Sequence, residues 1–341
     1  MRKVWKLAGI TASVIIGAGF ATGREIKTYF TQYGVYGYLL MAAGAVLLFL
    51  GSLRLLDSRK RYFRVPLMAY VFFTYVLMLA ALGDLVDQNT FLPRWLGILL
   101  GAGISLLGVL AGFGRFTGIS GILSPIVALG LTGILLFLVK CPLPSSNLLL
   151  QRTPQPGGGL LSWALLLYSG YNFLSAMIVL PEIGREYTKK QKVLGCGLGI
   201  AGVFLCIFLI HNAFLECYSI AETADMPLIQ LIFTLGSKKA SGISLSLLTL
   251  TLLLSVCGSA VGFARMAAPG NGERKIGIFM TAAGTPLAFL GFGNLMDYVY
   301  PAFGAAGGIM LLIYLTGYFK KIILYRKNKM RSGHGTVEFQ E

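Results

Sequence analysis

Residues 15–25 read IIGAGFATGRE, and the architecture turns on them. They lie in an apolar segment, from about Val4 to about Phe30, that holds Gly17, Gly19 and Gly23. A glycine in a helix interior costs roughly 1 kcal/mol against alanine. Gly17-Ala18-Gly19 sets two of them within three residues, so the helix is expected to open there. At membrane depth a break is tolerated only where the freed backbone lines a cavity or is buried in protein. In transporters such a break offers carbonyls to a cation and N–H groups to an anion. Two plainer readings compete. Gly19-x-x-x-Gly23 would also serve as a close-packing face between helices. The start of the chain imitates a signal peptide, with Arg2, Lys3 and Lys6, an apolar run and a Gly19-Phe20-Ala21 end. Nine further apolar segments make a retained first helix the more natural reading.

The 341 residues are 56% hydrophobic and only 12% charged, and the mean hydropathy is +0.75. No soluble fold hides that much apolar surface, so the chain reads as an all-α polytopic membrane protein. Its net charge of +16 would suggest nucleic acid in a soluble protein. Here the positive charges sit in short loops between apolar spans, the pattern of membrane topology, and no nucleic-acid partner is expected. None of the five cysteines forms a CxxC pair, and His211 and His334 lack ligand-spaced partners. No disulfide framework and no metal site follow.

Ten spans are expected, each near the ~20 residues that a ~30 Å hydrocarbon core requires. They cover about 4–31, 34–54, 66–88, 95–112, 118–139, 159–182, 193–214, 241–265, 276–292 and 295–319. Segment 215–240 is too polar to span, and within it 226–235 suits a short helix on the outer face. With the N-terminus in the cytoplasm, 22 of the 29 Lys and Arg residues fall on the inner side. Both termini are therefore expected in the cytoplasm, and the protein in the plasma membrane.

The Pro/Gly/Ser-rich segment 140–158 reads as an extracytoplasmic linker. It divides the chain into residues 1–139 and 159–319, with a basic, disordered tail at 320–341. Each part holds five spans. Five is odd, so the second set must run in the opposite sense, the inverted-repeat logic of many secondary transporters. Span six should then also be broken. Its middle carries Tyr168, Ser169, Gly170, Tyr171 and Asn172, a polar and glycine-bearing knot in an apolar run. Alternatively the Ser and Asn side chains bond neighbouring helices.

GAGFATGRE with Phe30 and Tyr33-Gly34, LYSGYN in span six, ETADMPL in the outer segment and LMDYVYPAFGAAG in span ten resemble the YkvI-like membrane proteins. The likeness runs through nearly the whole chain. It implies the amino acid–polyamine–organocation (APC) superfamily and its LeuT fold: a 5+5 inverted repeat with helices one and six broken at the substrate. On that resemblance Gly17, Ala18 and Gly19 would hold a substrate carboxylate on backbone N–H groups, with Phe20 beside them. Tyr168, Gly170, Tyr171 and Asn172 would line the opposite wall, their rings covering an ammonium or apolar group. A sodium ion would use the carbonyls of Ser13 and Ile16 with the Ser255 hydroxyl and the Thr251 carbonyl. Leu254 stands where a second hydroxyl is common, and Phe20 where a second sodium site would need Asn.

Arg24, Glu25 and Lys27 follow the break, and an ionisable residue inside a span is functional by default. Arg24 and Asp297 suit an outer gate, and Glu25 a proton carrier. Snorkelling or a structural ion pair is the plainer account. Asp84 and Asp87, at the outer end of span three, read as solvated.

The leading function is an ion-coupled secondary transporter, driven by Na+ or H+, for a small amino acid or related zwitterion or amine. The alternative is a permease-like receptor of the same fold that binds without moving its ligand. An enzyme is not expected: the sequence has no DDxxD, HExxH, Ser/His arrangement or Walker loop. No cofactor beyond a possible Na+ is implied, and monomer and homodimer are equally open.

Overall fold

The computed structural model describes residues 1–58, 64–116, 118–120, 123, 133, 158–270 and 272–332. Span five, the 140–158 linker, Cys141 and the end of the tail, as read from the sequence, fall mostly or wholly outside these residues. The described chain is helical. The first span is three pieces: α1 (Arg2–Ile15), α2 (Ala18–Thr22) and α3 (Arg24–Tyr29). Five helices follow: α4 (Tyr36–Asp57), α5 (Arg64–Asn89), α6 (Arg94–Ala111), α7 (Gly158–Ile183) and α8 (Lys189–Glu216). Two short helices, α9 (Tyr218–Thr223) and α10 (Pro227–Leu235), lead to α11 (Lys238–Ala267), α12 (Glu273–Ala288) and α13 (Phe292–Ser332).

Among the described residues seven of these helices are long and apolar enough to cross a membrane. The first span is missing from that set because it is broken, and α12 because it has 16 residues. Leu39, Val46, Leu107, Leu205 and Phe279 stand exposed on the outward faces, as a bilayer solvent allows.

Local chemistry sets the ends. Thr188 and Gln191 form a reciprocal capping box at the start of α8, satisfying two of the free N–H groups. Gly112, at φ 86°, closes α6. Pro227 opens α10 at the position where its missing N–H costs nothing. Helix α13 runs past 319 through the basic stretch to Ser332, so much of the expected disordered tail is helical.

The helices pack in two groups. In the first, α1 lies on α8, α4 on α7, and α4 on α8. In the second, α5 lies on α11 and α6, and α12 on α5, α6 and α11. Helix α13 packs along α7 and touches α4 and α5, and α2 bridges to α11 and α5. Cys196, Cys206 and Cys257 are free thiols.

Two further expectations are corrected. Span six is unbroken: α7 runs from Gly158 through the Tyr168–Asn172 knot to Ile183. The cause is packing. A Cβ on Gly170 would overlap the carbonyl oxygen of Gly304 and the backbone of Gly308 in α13, so this glycine serves close approach between helices rather than opening. The polar side chain that might have competed with the helix does not, because Asn172 Nδ2 donates to the Tyr168 carbonyl one turn back, at 3.0 Å. Asp84 is not solvated either. It is buried, its Oδ1 lies 2.7 Å from Arg94 Nε, and its Oδ2 accepts the Phe292 N–H at 3.1 Å. That contact ties the start of α13 to α5.

Candidate functional site

The first helix opens where the sequence says it should. Ile16 (φ −78°, ψ 98°) and Gly17 (φ −110°, ψ −170°) are extended, so the helical ladder stops at Ile15 and restarts at Ala18. A second discontinuity follows at Gly23, whose φ of 81° is left-handed. A side chain would be strained at that φ. It would also meet Phe214 and Leu228, 2.7 and 2.9 Å from an added Cβ. Gly17 is more open, with only Met78 Cε, at 3.8 Å, near its missing side chain.

After the turn at Gly23, Arg24 and Glu25 stand on different faces of α3. Arg24 reaches outward, where its guanidinium bonds Asp225 through Nη1 and Asp297 through Nη2, the latter at 3.0 Å. Lys27 Nζ donates to the carbonyls of Glu222, at 2.5 Å, and Ala224, at 3.0 Å. Together they pin α3 to the 222–225 segment and to the second turn of α13. The Arg24–Asp297 pair expected from the sequence is present. Asp225 was not singled out, although it lies in the quoted ETADMPL stretch.

Glu25 points inward and is 3% exposed. Its carboxyl lies against Gly19 so closely that any Cβ on Gly19 would overlap it. The Phe20 N–H and the Tyr300 hydroxyl are beside it. Glu25 Oε2, Tyr168 Oη and Ser169 Oγ are buried without a hydrogen-bond partner. Native interiors rarely leave such groups unpaired, because each costs about 1–3 kcal/mol. The Glu25 and Tyr168 oxygens, held between α2, α3 and α7, therefore mark a place that water, an ion or a ligand completes.

Aromatic rings wall this cluster. Tyr171 and Tyr300 stack with centroids 3.8 Å apart at 15°. Tyr29 stacks on the other side of the group, 5.0 Å from Tyr300, and Phe30 meets Tyr168 edge-on at 4.7 Å. Tyr70 touches Tyr171 at 5.1 Å and bonds Ser175. Of the second wall expected from the sequence, Tyr168 and Tyr171 join this ring cluster, whereas Gly170 faces α13 and Asn172 bonds its own helix. Of the first, Gly19 meets the Glu25 carboxyl, and α2 packs on α10, α11 and α5. Tyr29, Tyr70 and Tyr300 complete the cluster, and sequence reasoning missed them. Tyr300 sits inside the quoted LMDYVYPAFGAAG stretch of span ten, and that was the available signal.

The side chains named for a sodium ion make local contacts. Ser13 lies on an exposed face of α1 and donates to Ile10 O at 2.9 Å. Thr251 donates to Leu247 O at 2.7 Å. It shares a cavity of about 20 Å³ with Ala21, Leu228, Ile229 and Ser244. Ser255 is half-buried on α11, which packs on α2, beyond the break from Ser13 and Ile16.

Fold and site together define a polytopic α-helical membrane protein with a broken first helix and a buried polar and aromatic cluster beside that helix's outer pieces. The chain is similar to the uncharacterized membrane protein YkvI of Bacillus subtilis (strain 168), with 25% identity over 323 residues. The match covers 88% of this chain and 91% of that protein. No protein-family model matches the chain.

Proposed function

We propose that this protein is a secondary transporter of the plasma membrane that moves a small amino acid or related zwitterion or amine by alternating access, coupled to Na+ or H+. The observation that carries the reading is the break at Ile16–Gly17, with the buried Glu25 carboxyl packed on Gly19 just beyond it and one carboxyl oxygen unpartnered. Irregular backbone is tolerated in a membrane chiefly where it serves a cavity or is buried in protein, and transporters place their substrates at such breaks. Gly17 and Gly23 are hinges on either side of α2, and the Arg24 clamp is the outer gate.

The packing supports a five-plus-five inverted arrangement of the APC type, with the first helix broken and the sixth whole. Exchange each helix with its counterpart: the first span with α7, α4 with α8, α5 with α11, α6 with α12. The contact of α1 with α8 becomes that of α7 with α4, and α5 with α6 becomes α11 with α12. Likewise α6 with α11 becomes α12 with α5. Residues 1–139 and 159–319 are then the two repeats, and both termini are cytoplasmic.

Reconstitution into liposomes tests the reading. Accumulation of a labelled solute driven by an imposed Na+ or H+ gradient is expected. Saturable binding with no flux under either gradient would instead make the protein a receptor.

A further inference from the structure

We infer that the outer gate is locked by a proton: α3 carries the Arg24 clamp on one face and the Glu25 carboxyl on another, and the clamp opens as Glu25 gives its proton to water. This rests on the outer gate proposed above and adds what regulates it.

Both groups sit on one short helix. Its link to α2 is Gly23, at a left-handed φ of 81° that glycine alone adopts freely. Neighbouring helix positions lie about 100° apart, so Arg24 and Glu25 face different ways on a backbone that turns as one unit. In the closed gate Arg24 Nη2 lies 3.0 Å from Asp297 Oδ1 and Nη1 meets Asp225. Lys27 Nζ donates to the Ala224 carbonyl at 3.0 Å. In the same pose Glu25 is 3% exposed. A swing of α3 that brings Glu25 to water takes Arg24 and Lys27 off those partners.

The surroundings of Glu25 decide its charge. Both cations of α3 are held by the clamp. The titratable groups that face the carboxyl are tyrosines: Tyr70 on α5, Tyr168 and Tyr171 on α7, Tyr300 on α13, and Tyr29 on α3 itself. Helix α2 brings the Phe20 N–H. Helices α8 and α10 bring Phe214 and Leu228 against Gly23, and His211 of α8 is engaged with Thr31 Oγ1 at 3.2 Å. Among the described residues no cation bears on the carboxyl. An ionised group there would be an uncompensated buried charge, at a cost of several kcal/mol, so the closed gate keeps Glu25 as the neutral acid. In the open gate water reaches it: the O–H bond breaks, its electron pair stays on oxygen and the proton passes to solvent. The closed state thus binds one proton more than the open one, so falling pH favours closure and rising pH favours opening.

Distance measurement by double electron–electron resonance tests this on the full chain in liposomes, with the native cysteines replaced by serine. The spin labels go on Gln32→Cys, just beyond α3, and Gln88→Cys, at the outer end of α5, both exposed positions. Between about pH 5 and about pH 9, above the ordinary carboxylate range, a second distance is expected to grow as pH rises. Glu25→Gln should give a distribution that does not change with pH. Arg24→Ala, which weakens the closed state about tenfold, should lower the midpoint by about one pH unit. A distribution independent of pH in the natural protein would overturn the inference. So would a pH response that survives in Glu25→Gln, or an unmoved midpoint in Arg24→Ala. The natural protein and Arg24→Ala decide even if the Gln variant fails to fold. Gradient-driven solute uptake with a gate indifferent to pH would overturn this inference and leave the transporter standing. A pH-responsive gate with no flux under either gradient would do the reverse.

Discussion

Gly170 in α7 and Gly304 in α13 meet backbone to backbone: a single methyl on Gly170 would lie on the Gly304 carbonyl oxygen. Neither backbone can retreat, since each belongs to a continuous helix. Gly170→Ala should therefore lose about 1–3 kcal/mol of stability, the usual cost of overpacking. Thermal melting in detergent checks it. Gly202→Ala, on the exposed face of α8 with open space around it, should melt at or above the temperature of the natural protein.

The three glycines of the break should answer differently to alanine. Gly17 is extended, with room beside it, so Gly17→Ala should leave stability nearly unchanged. Gly19→Ala must displace the buried Glu25 carboxyl. Gly23→Ala meets both a left-handed φ and the side chains of Phe214 and Leu228, and the backbone term alone is about 1–2 kcal/mol. The expected order of melting temperatures is Gly17→Ala above Gly19→Ala and Gly23→Ala. Equal loss at all three would contradict the geometry.

Arg24 is 12% exposed, while Asp225 and Asp297 are 51% and 62% exposed. Exposed ion pairs contribute about 0–1 kcal/mol each, weak enough for the proposed outer gate to open by thermal motion. Arg24→Ala should shift the protein toward an outward-open state by on the order of tenfold. The measurement is labelling of a Ser169→Cys probe by a membrane-impermeant thiol reagent. Asp225→Asn and Asp297→Asn should each act more weakly than Arg24→Ala. Identical labelling in all four proteins would rule that gate out.

Asp84 holds two elements at once, Arg94 at the start of α6 and the Phe292 N–H at the start of α13. Asp84→Ala leaves a buried N–H and a half-buried guanidinium unmatched. The loss expected is about 1–3 kcal/mol, below the cost of breaking a fully buried pair because Arg94 retains access to solvent. Asp84→Asn keeps an acceptor for Phe292 and should fall between. Melting of the two variants distinguishes the hydrogen bond from the charge.

Apolar span lengths and loop charges were legible in the chain itself, because a hydrocarbon solvent forces each segment to satisfy its own backbone. So α4 through α8 and α11 through α13 start within about four residues of where the sequence puts them. The opening at Gly17 was equally legible, since two glycines in three residues weaken a helix whatever surrounds it. What a glycine does once the chain is folded was not. Gly19 and Gly170 look alike on paper, each beside aromatic and small polar residues. Gly19 makes room for a carboxyl six positions on, and Gly170 for a helix more than a hundred residues away. Only the tertiary structure could choose between opening and packing, because that choice depends on which distant backbone arrives at the vacant side of the residue. The same holds for Tyr29 and Tyr300: their types suited a membrane interior anywhere, and their meeting at Glu25 came from helix packing.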